Sequence, residues 1–189
     1  MSKYYSTKTY GNDRGLSCTF RQWRSTHSHC SLLHGYSIGI KLIFESETLD
    51  DRNWVMDFGG LKAFKEWSEY MFDHTLIIAE DDPFLSKFKE LNAIVRTDSE
   101  DPNSEVPQKR GAVCDIRIVE GVGCEKFAEL VYKKMDSILK SFQKHGHWEY
   151  VDNNQHVHRY ECRYPVGVGV RLKSAEVFEH AGNSAVYEG

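Results

Sequence analysis

No apolar run in the chain reaches the ~18 residues that a membrane-spanning helix requires. The first residues, Met1-Ser2-Lys3-Tyr4-Tyr5, lack the apolar core of a secretory signal. Together these absences lead to the expectation of a protein with no membrane partner, kept in the cytoplasm. Basic charge is also in short supply, with 24 Lys and Arg against 28 Asp and Glu and a formal net charge of −4. A general nucleic-acid binder needs a basic face to neutralise phosphates, so no nucleic-acid partner is expected. A few local Arg or Lys side chains can still hold one anionic group. The five cysteines are odd in number, scattered, and form no C-x-x-C pair. That excludes a disulfide framework and a zinc ribbon, and leaves most of them as small buried hydrophobes, with one open to a reactive role. There is no internal repeat and no linker rich in Pro, Gly or Ser. The 189 residues therefore read as one domain, 1–189, long enough to enclose a real core.

Two polar stretches interrupt the pattern. Thr97 to Arg110 carries two prolines and mixed charge, and Lys144 to Asn154 carries His145, Gly146, His147 and then Asp152-Asn153-Asn154. Both read as loop insertions, around 97–110 and 144–154. Between them the periodicity changes type. Tyr36 to Glu45 alternates, with Ile38, Ile40, Leu42 and Phe44 on one side, which predicts a strand with one face on a core. Gly15 to Trp23 is a weaker strand that can pair with it as a hairpin across the Arg24–Leu33 loop. From Gly60 to Phe72, Leu61, Phe64, Trp67 and Met71 recur at helical spacing, and a longer apolar stripe predicts a helix from about Cys124 to Lys144. Ala112 to Val119 and Val166 to Phe178 read as strands, with a further one near Val157–Tyr164. Strand pairs separated by helices imply an α+β domain with helices on one face of an antiparallel sheet. Such a sheet exposes its edges, and oligomerisation is one remedy.

Four segments hold side chains suited to chemistry. His27, His29, Cys30 and His34 lie within eight positions just before the strongest strand, and imidazole and thiolate are zinc ligands. Solvated histidines on a surface loop are the alternative. Asn53 to Lys62 contains Asp57, placed to accept orphan backbone N–H groups at a helix start, which accounts for it without catalysis. Asp73 and His74 close that helix. If they touch, Asp73 orients His74 for proton transfer; otherwise His74 merely complements the helix dipole. Near the C-terminus, Glu179 ends an apolar strand, where an ionised carboxylate needs a partner. It can accept two parallel hydrogen bonds from an aminopyrimidine, or reach solvent at an edge. His145, His147, His156 and His158 form two H-x-H pairs, read as surface residues because no third ligand accompanies them.

In their order and spacing these segments resemble the 6-pyruvoyl-tetrahydropterin synthase family, including its 6-carboxytetrahydropterin synthases. Cys30 to Tyr36 resembles a C-x-x-x-H-G-H pattern, and Trp54 to Lys62 matches W-[VI]-x-D-F-x-x-L-K in full. Asp73-His74 and Glu179 match the later motifs. Gly123-Cys124-Glu125 stands where the family helix opens P-T-x-E, and the similarity covers about residues 15 to 187. The resemblance implies the tunnelling fold, a small antiparallel sheet with two helices on one face, joined between subunits into a barrel. That barrel is typically a homohexamer, with active sites between subunits.

It further implies a pterin substrate, 7,8-dihydroneopterin triphosphate, turned over by Cys30 with Asp73 and His74, the ring being anchored by Glu179. The carboxy branch makes 6-carboxy-5,6,7,8-tetrahydropterin for 7-deazaguanine (queuosine) biosynthesis. Three histidines hold zinc in the family pattern, but here Arg24 and Tyr36 stand at two of those positions. His34 is retained, and His29 is preferred over His27 as a second zinc ligand. Alternatively zinc is absent, Arg24 supplies positive charge, and Arg24 and Tyr36 serve the substrate. Two other functions stay open: a related enzyme on another pterin or purine-like substrate, and a catalytically silent pterin-binding or assembly protein.

Overall fold

A computed structural model describes residues 2–93, 113–151 and 155–189. It contains a four-stranded antiparallel sheet in the order β1-β4-β9-β10, built from Tyr4–Tyr10, Gly39–Ser46, Arg171–His180 and Asn183–Glu188. Ile40, Leu42 and Phe44 of β4 alternate into the core and meet Leu172, Ala175 and Val177 of β9, all buried. A bulge, with Ile43 opposite Ser174 and Phe44 opposite Leu172, lets β9 keep both stretches facing inward.

A long helix, α3 (Cys124–His145), covers this face, as its spacing predicts. Phe127, Val131, Met135, Ile138, Leu139 and Phe142 form its buried stripe. Burying each such side chain is worth roughly 1.5–3 kcal/mol, so this stripe contributes substantially to the stability of the fold. Lys144 and His145 complete the last helical turn, and Gly146 ends it in a left-handed conformation. A shorter helix, α1 (Lys62–Phe72), follows a single turn of tighter helix at Phe58–Leu61, which Asp57 caps by accepting from the Gly59 N–H at 2.9 Å. That is the structural role expected of Asp57. In α1 the fully buried positions are Ala63, Phe64, Ser68 and Phe72, while Trp67 and Met71 pack at the margin of the core.

The helices and the antiparallel sheet agree with the expected α+β class. A second sheet goes beyond it. Its order is β3-β2-β5-β6, from His34–Ser37, Ser17–Phe20, Thr75–Ala79 and Asp115–Val119. The β2–β3 pair is the expected antiparallel hairpin, but β5 runs parallel to both β2 and β6. The single strand expected over Tyr36–Glu45 is therefore two strands in two sheets. The chain leaves β3 at Ser37, where Ser37 and Asn12 exchange side-chain-to-backbone hydrogen bonds of 2.5 Å, and enters β4 at Gly39.

A third helix, α2 (Leu85–Ala93), leaves the β5 side of this sheet. The 97–110 insertion lies outside the described residues. The 144–154 stretch is not an irregular loop in its described part, because His147–Val151 forms β7 and pairs with β8 (Val157–Glu161) in a two-stranded ribbon. Trp148 and Tyr150 alternate there, and Trp148 stands opposite Tyr160. Among the described residues no helix is long and apolar enough to cross a membrane.

Candidate functional site

The site is built on the β2–β3 hairpin. Cys18 pairs with Tyr36 and Phe20 with His34, so these four side chains share one face. Phe20 is buried and holds the face down, its ring 5.0 Å from Phe127 of α3 in an edge-on contact. The His34 ring rests 4.7 Å from Phe20 and 5.6 Å from Tyr36. Between them, Gly35 allows a backbone approach that no side chain could share: a Cβ there would fall 2.9 Å from the Cys18 carbonyl oxygen. Gly35 thus sets His34 and Tyr36 onto the same wall.

Cys30 sits on a single tight helical turn, His29–Ser31, whose start is capped by the Ser28 hydroxyl accepting from the Cys30 N–H. The Cys30 carbonyl accepts from the Gln22 N–H at 2.8 Å, fastening this turn to the end of β2. Glu179 lies near the end of β9, on the face shared with Ala175 and Val177. Tyr36 joins these groups. Burial, then the charge of Glu179, then Cys30 and Cys124, push its phenol above its ordinary pKa. The charges of Glu179 and Cys30 thus act on the Tyr36 phenol.

Two residues outside the sequence-derived set belong here as well. Cys124 opens α3, its thiol donating to the Val177 carbonyl at 3.0 Å and pushed up to about 11 by burial and by Glu179. Its place at the P-T-x-E position was the available signal. His180 follows Glu179 and lies 6.3 Å from the Tyr36 ring. Just before Cys124, Gly123 has φ 120°, a conformation that favours glycine.

Asp73 and His74 do touch, with 2.5 Å between Oδ1 and Nδ1. His74 has φ 55°, the left-handed region, and turns the chain from α1 into β5. Both side chains are exposed to solvent, and they are not beside Cys30. The His74 N–H donates to the Ser17 carbonyl, whereas His34 pairs with Phe20, about 10 Å further along β2 at ~3.3 Å per residue.

Arg24 points elsewhere too. Its guanidinium pairs with Asp81 and lies 4.7 Å over the Trp23 ring. Asp81 also accepts from the Trp23 indole at 3.0 Å, and these two donors hold its carboxyl below the usual carboxylate range. The loop carrying them lines a cleft of about 310 Å³ with Gln22, Ala79, Glu120 and Val122.

Zinc would need three converging ligands and an open position. His34 has its Nδ1 2.8 Å from the Leu32 carbonyl, which leaves Nε2, and His29 is exposed. Arg24 offers no acceptor, and among the described residues no group of three His, Cys, Asp or Glu could hold a metal ion. The donor set does not fit the three-histidine site that the resemblance implies.

A profile of the 6-pyruvoyl tetrahydropterin synthase family matches residues 12–189. The chain belongs to this family. Among curated relatives, the 6-carboxy-5,6,7,8-tetrahydropterin synthase of Rickettsia typhi is 34% identical over 59 residues, 31% of this chain and 43% of that protein. The synthase of the same name from Rickettsia felis is 35% identical over 54 residues, 28% of this chain and 39% of that protein. The chain thus spans less than half the length of these curated relatives. An uncharacterised protein of Wolinella succinogenes shares the fold with a TM-score of 0.67 at 20% identity, covering 100% of this chain and 99% of its own. Plasmodium vivax 6-pyruvoyltetrahydropterin synthase does so with a TM-score of 0.55 at 11% identity and the same coverage. At such identities these two structures establish the family's fold and nothing of its chemistry.

Proposed function

We propose that this chain is a pterin-processing lyase that converts 7,8-dihydroneopterin triphosphate to 6-carboxy-5,6,7,8-tetrahydropterin for 7-deazaguanine biosynthesis. The supporting observation is the match of residues 12–189 to the 6-pyruvoyl tetrahydropterin synthase family, with Cys30 and Glu179 standing in the order of its motifs. A carboxylate at Glu179 accepts two parallel hydrogen bonds from the aminopyrimidine edge of a pterin. Cys30, as thiolate, takes a carbon-bound proton from the side chain of the ring it faces. Asp73 and His74 complete the proton transfers from a neighbouring subunit of a homo-oligomer, since within one chain they lie beyond the reach of Cys30. Membership in the family and the similarity to proteins named 6-carboxy-5,6,7,8-tetrahydropterin synthase favour the carboxy branch.

The test incubates the purified full chain, supplied with divalent metal, with dihydroneopterin triphosphate and follows it by mass spectrometry. Release of triphosphate and acetaldehyde, abolished by Cys30→Ala, is the expected result. Intact substrate after prolonged incubation sinks this reading.

Arg24 and Tyr36 favour a second reading, a related enzyme with the same ring anchor and altered side-chain chemistry. Under it, restoring histidine at both positions confers the family reaction on a chain that otherwise lacks it. No gain in the double variant counts against that alternative.

A further inference from the structure

The turn that carries Cys30 has no apolar anchor. None of His29, Cys30 and Ser31 is buried, and Thr26, His27, Leu32 and Leu33 around them are exposed. A stretch with so little buried contact depends on its hydrogen bonds for a fixed shape, and here those bonds close on themselves. Ser25, Ser28 and Ser31 recur at three-residue steps after Gln22. The Ser25 N–H donates to the Gln22 carbonyl at 2.8 Å, the Ser28 N–H to the Ser25 carbonyl at 2.9 Å, and the Ser31 N–H to the Ser28 carbonyl at 3.2 Å. The Gln22 N–H then donates to the Cys30 carbonyl at 2.8 Å, which returns the circuit to the end of β2.

Ser28 is where this circuit meets Cys30. Its N–H and its carbonyl are both links, and the carbonyl also accepts from the Ser31 hydroxyl at 2.9 Å. Its own hydroxyl accepts from the Cys30 N–H at 3.2 Å. A short hydroxyl side chain is suited to such a local bond to the backbone, and alanine cannot replace it. The bond fixes the peptide from which the thiol projects. A group that must meet one atom of a bound substrate is sensitive to that placement, since a displacement of about 1 Å can cost on the order of a hundred-fold in rate.

We propose that Ser28 is a positioning residue for the chemistry of Cys30, its hydroxyl holding the Cys30 peptide so that the thiol meets the substrate in one direction. This rests on the pterin reading above, in which Cys30 takes the carbon-bound proton. Ser28 itself does not touch the substrate and acts only through Cys30.

The test compares the wild type with Ser28→Ala and Ser28→Thr, each as the full chain supplied with divalent metal, on dihydroneopterin triphosphate. Ser28→Ala should lower kcat about ten- to a hundred-fold and leave KM within about two-fold of the wild type, the pattern of a loss felt in the transition state. Ser28→Thr returns an acceptor oxygen to the same place and should recover most of the rate. Hydrogen exchange at the Cys30 amide, measured without substrate, should quicken about five-fold in Ser28→Ala, the loss of one neutral hydrogen bond. In Ser28→Thr it should keep the wild-type rate. A role confined to folding would instead lower the melting temperature and leave kcat per folded chain unchanged.

An active wild type with undiminished kcat in Ser28→Ala overturns the positioning role and leaves the pterin reading intact. A loss of rate that Ser28→Thr does not recover overturns the role of the hydroxyl, and equal exchange at Cys30 in wild type and Ser28→Ala overturns the bond itself. A wild type that leaves the substrate intact overturns the pterin reading and this proposal with it.

Discussion

The backbone N–H of His74 donates to the carbonyl of Ser17 at 2.7 Å, and this bond settles where the Asp73–His74 pair can act. Ser17 and Phe20 are the two ends of β2, and His34 is paired with Phe20. Within one chain the acid–base pair and Cys30 therefore sit at different ends of the same strand. If both serve one reaction, they come from different subunits.

That arrangement predicts complementation. Cys30→Ala and His74→Ala should each be inactive alone when assayed on dihydroneopterin triphosphate. Unfolding the two together and refolding the mixture should restore about a quarter of wild-type activity, the fraction of shared sites that draw both intact residues in a symmetric assembly. Recovery no greater than either parent shows means that the two residues do not share a site across subunits.

The same bond shows what the sequence could and could not disclose. The α3 stripe was legible because Phe127, Val131, Met135 and Phe142 recur at helical spacing. Asp57 was legible because its cap is local. The β5 strand, Thr75-Leu76-Ile77-Ile78-Ala79, was not, because it is buried on both faces and shows no alternation. Nor was its parallel pairing with β2, which depends on residues some sixty positions apart, as the Cys18–Thr75 register shows. The joint assignment of Cys30, Tyr36 and Glu179 rests on motif order and the family resemblance, and no local pattern carries it. The engagement of Arg24 by Asp81 was not, because nothing in the local sequence links the two.

Arg21 and Asp82 give a prediction about stability. Arg21 Nε donates to Asp82 Oδ2 at 2.8 Å, and the Asp82 side chain is fully buried. Asp82 also accepts from the Phe84 N–H, so the carboxylate ties the end of β2 to the turn after β5. Removing the cation strands a buried charge, which typically costs about 3–5 kcal/mol. Arg21→Ala should therefore lose about 3 kcal/mol in a urea titration, with Arg21 partly exposed. Arg24→Ala, whose partner Asp81 is half-exposed, should leave the urea midpoint close to the wild-type value. Equal losses in the two variants contradict this assignment.

Two of the contacts that fasten the β7–β8 ribbon to the helices can be cut separately. The Tyr160 hydroxyl donates to Glu66 of α1 at 2.5 Å, and burial together with that carboxylate pushes the phenol's pKa up. Lys134 of α3 lies over both Trp67 and Trp148, 5.5 and 5.4 Å from their ring centroids. Tyr160→Phe should cost about 1–1.5 kcal/mol, and Lys134→Ala about 1 kcal/mol. Hydrogen exchange should show the ribbon amides losing protection in both variants while those of β4 and β9 keep theirs. Uniform loss across the molecule means that the ribbon folds as part of the core.

Glu45 makes stability depend on acid. It lies on β4 with its carboxylate bonded by Lys3 at 3.0 and 3.1 Å and by Arg171 at 2.5 Å. The Lys3 hydrogen bond is the main cause of a pKa below the ordinary carboxylate value, outweighing the opposing effect of burial, with Arg171 adding to it. A carboxylate lowered in the folded state binds its proton more weakly there than in the unfolded chain. Its contribution is therefore complete above the unfolded pKa of about 4.3 and is lost as the pH falls through the lower folded value. Melting temperatures from pH 7 to pH 3 should show the wild type losing more than Glu45→Gln over the acid end of that range. Above pH 5.5 the two curves should run parallel, with the variant lower throughout because a neutral amide cannot hold two cations in place. Parallel curves down to pH 3 indicate that Glu45 keeps no charge-dependent share of the stability.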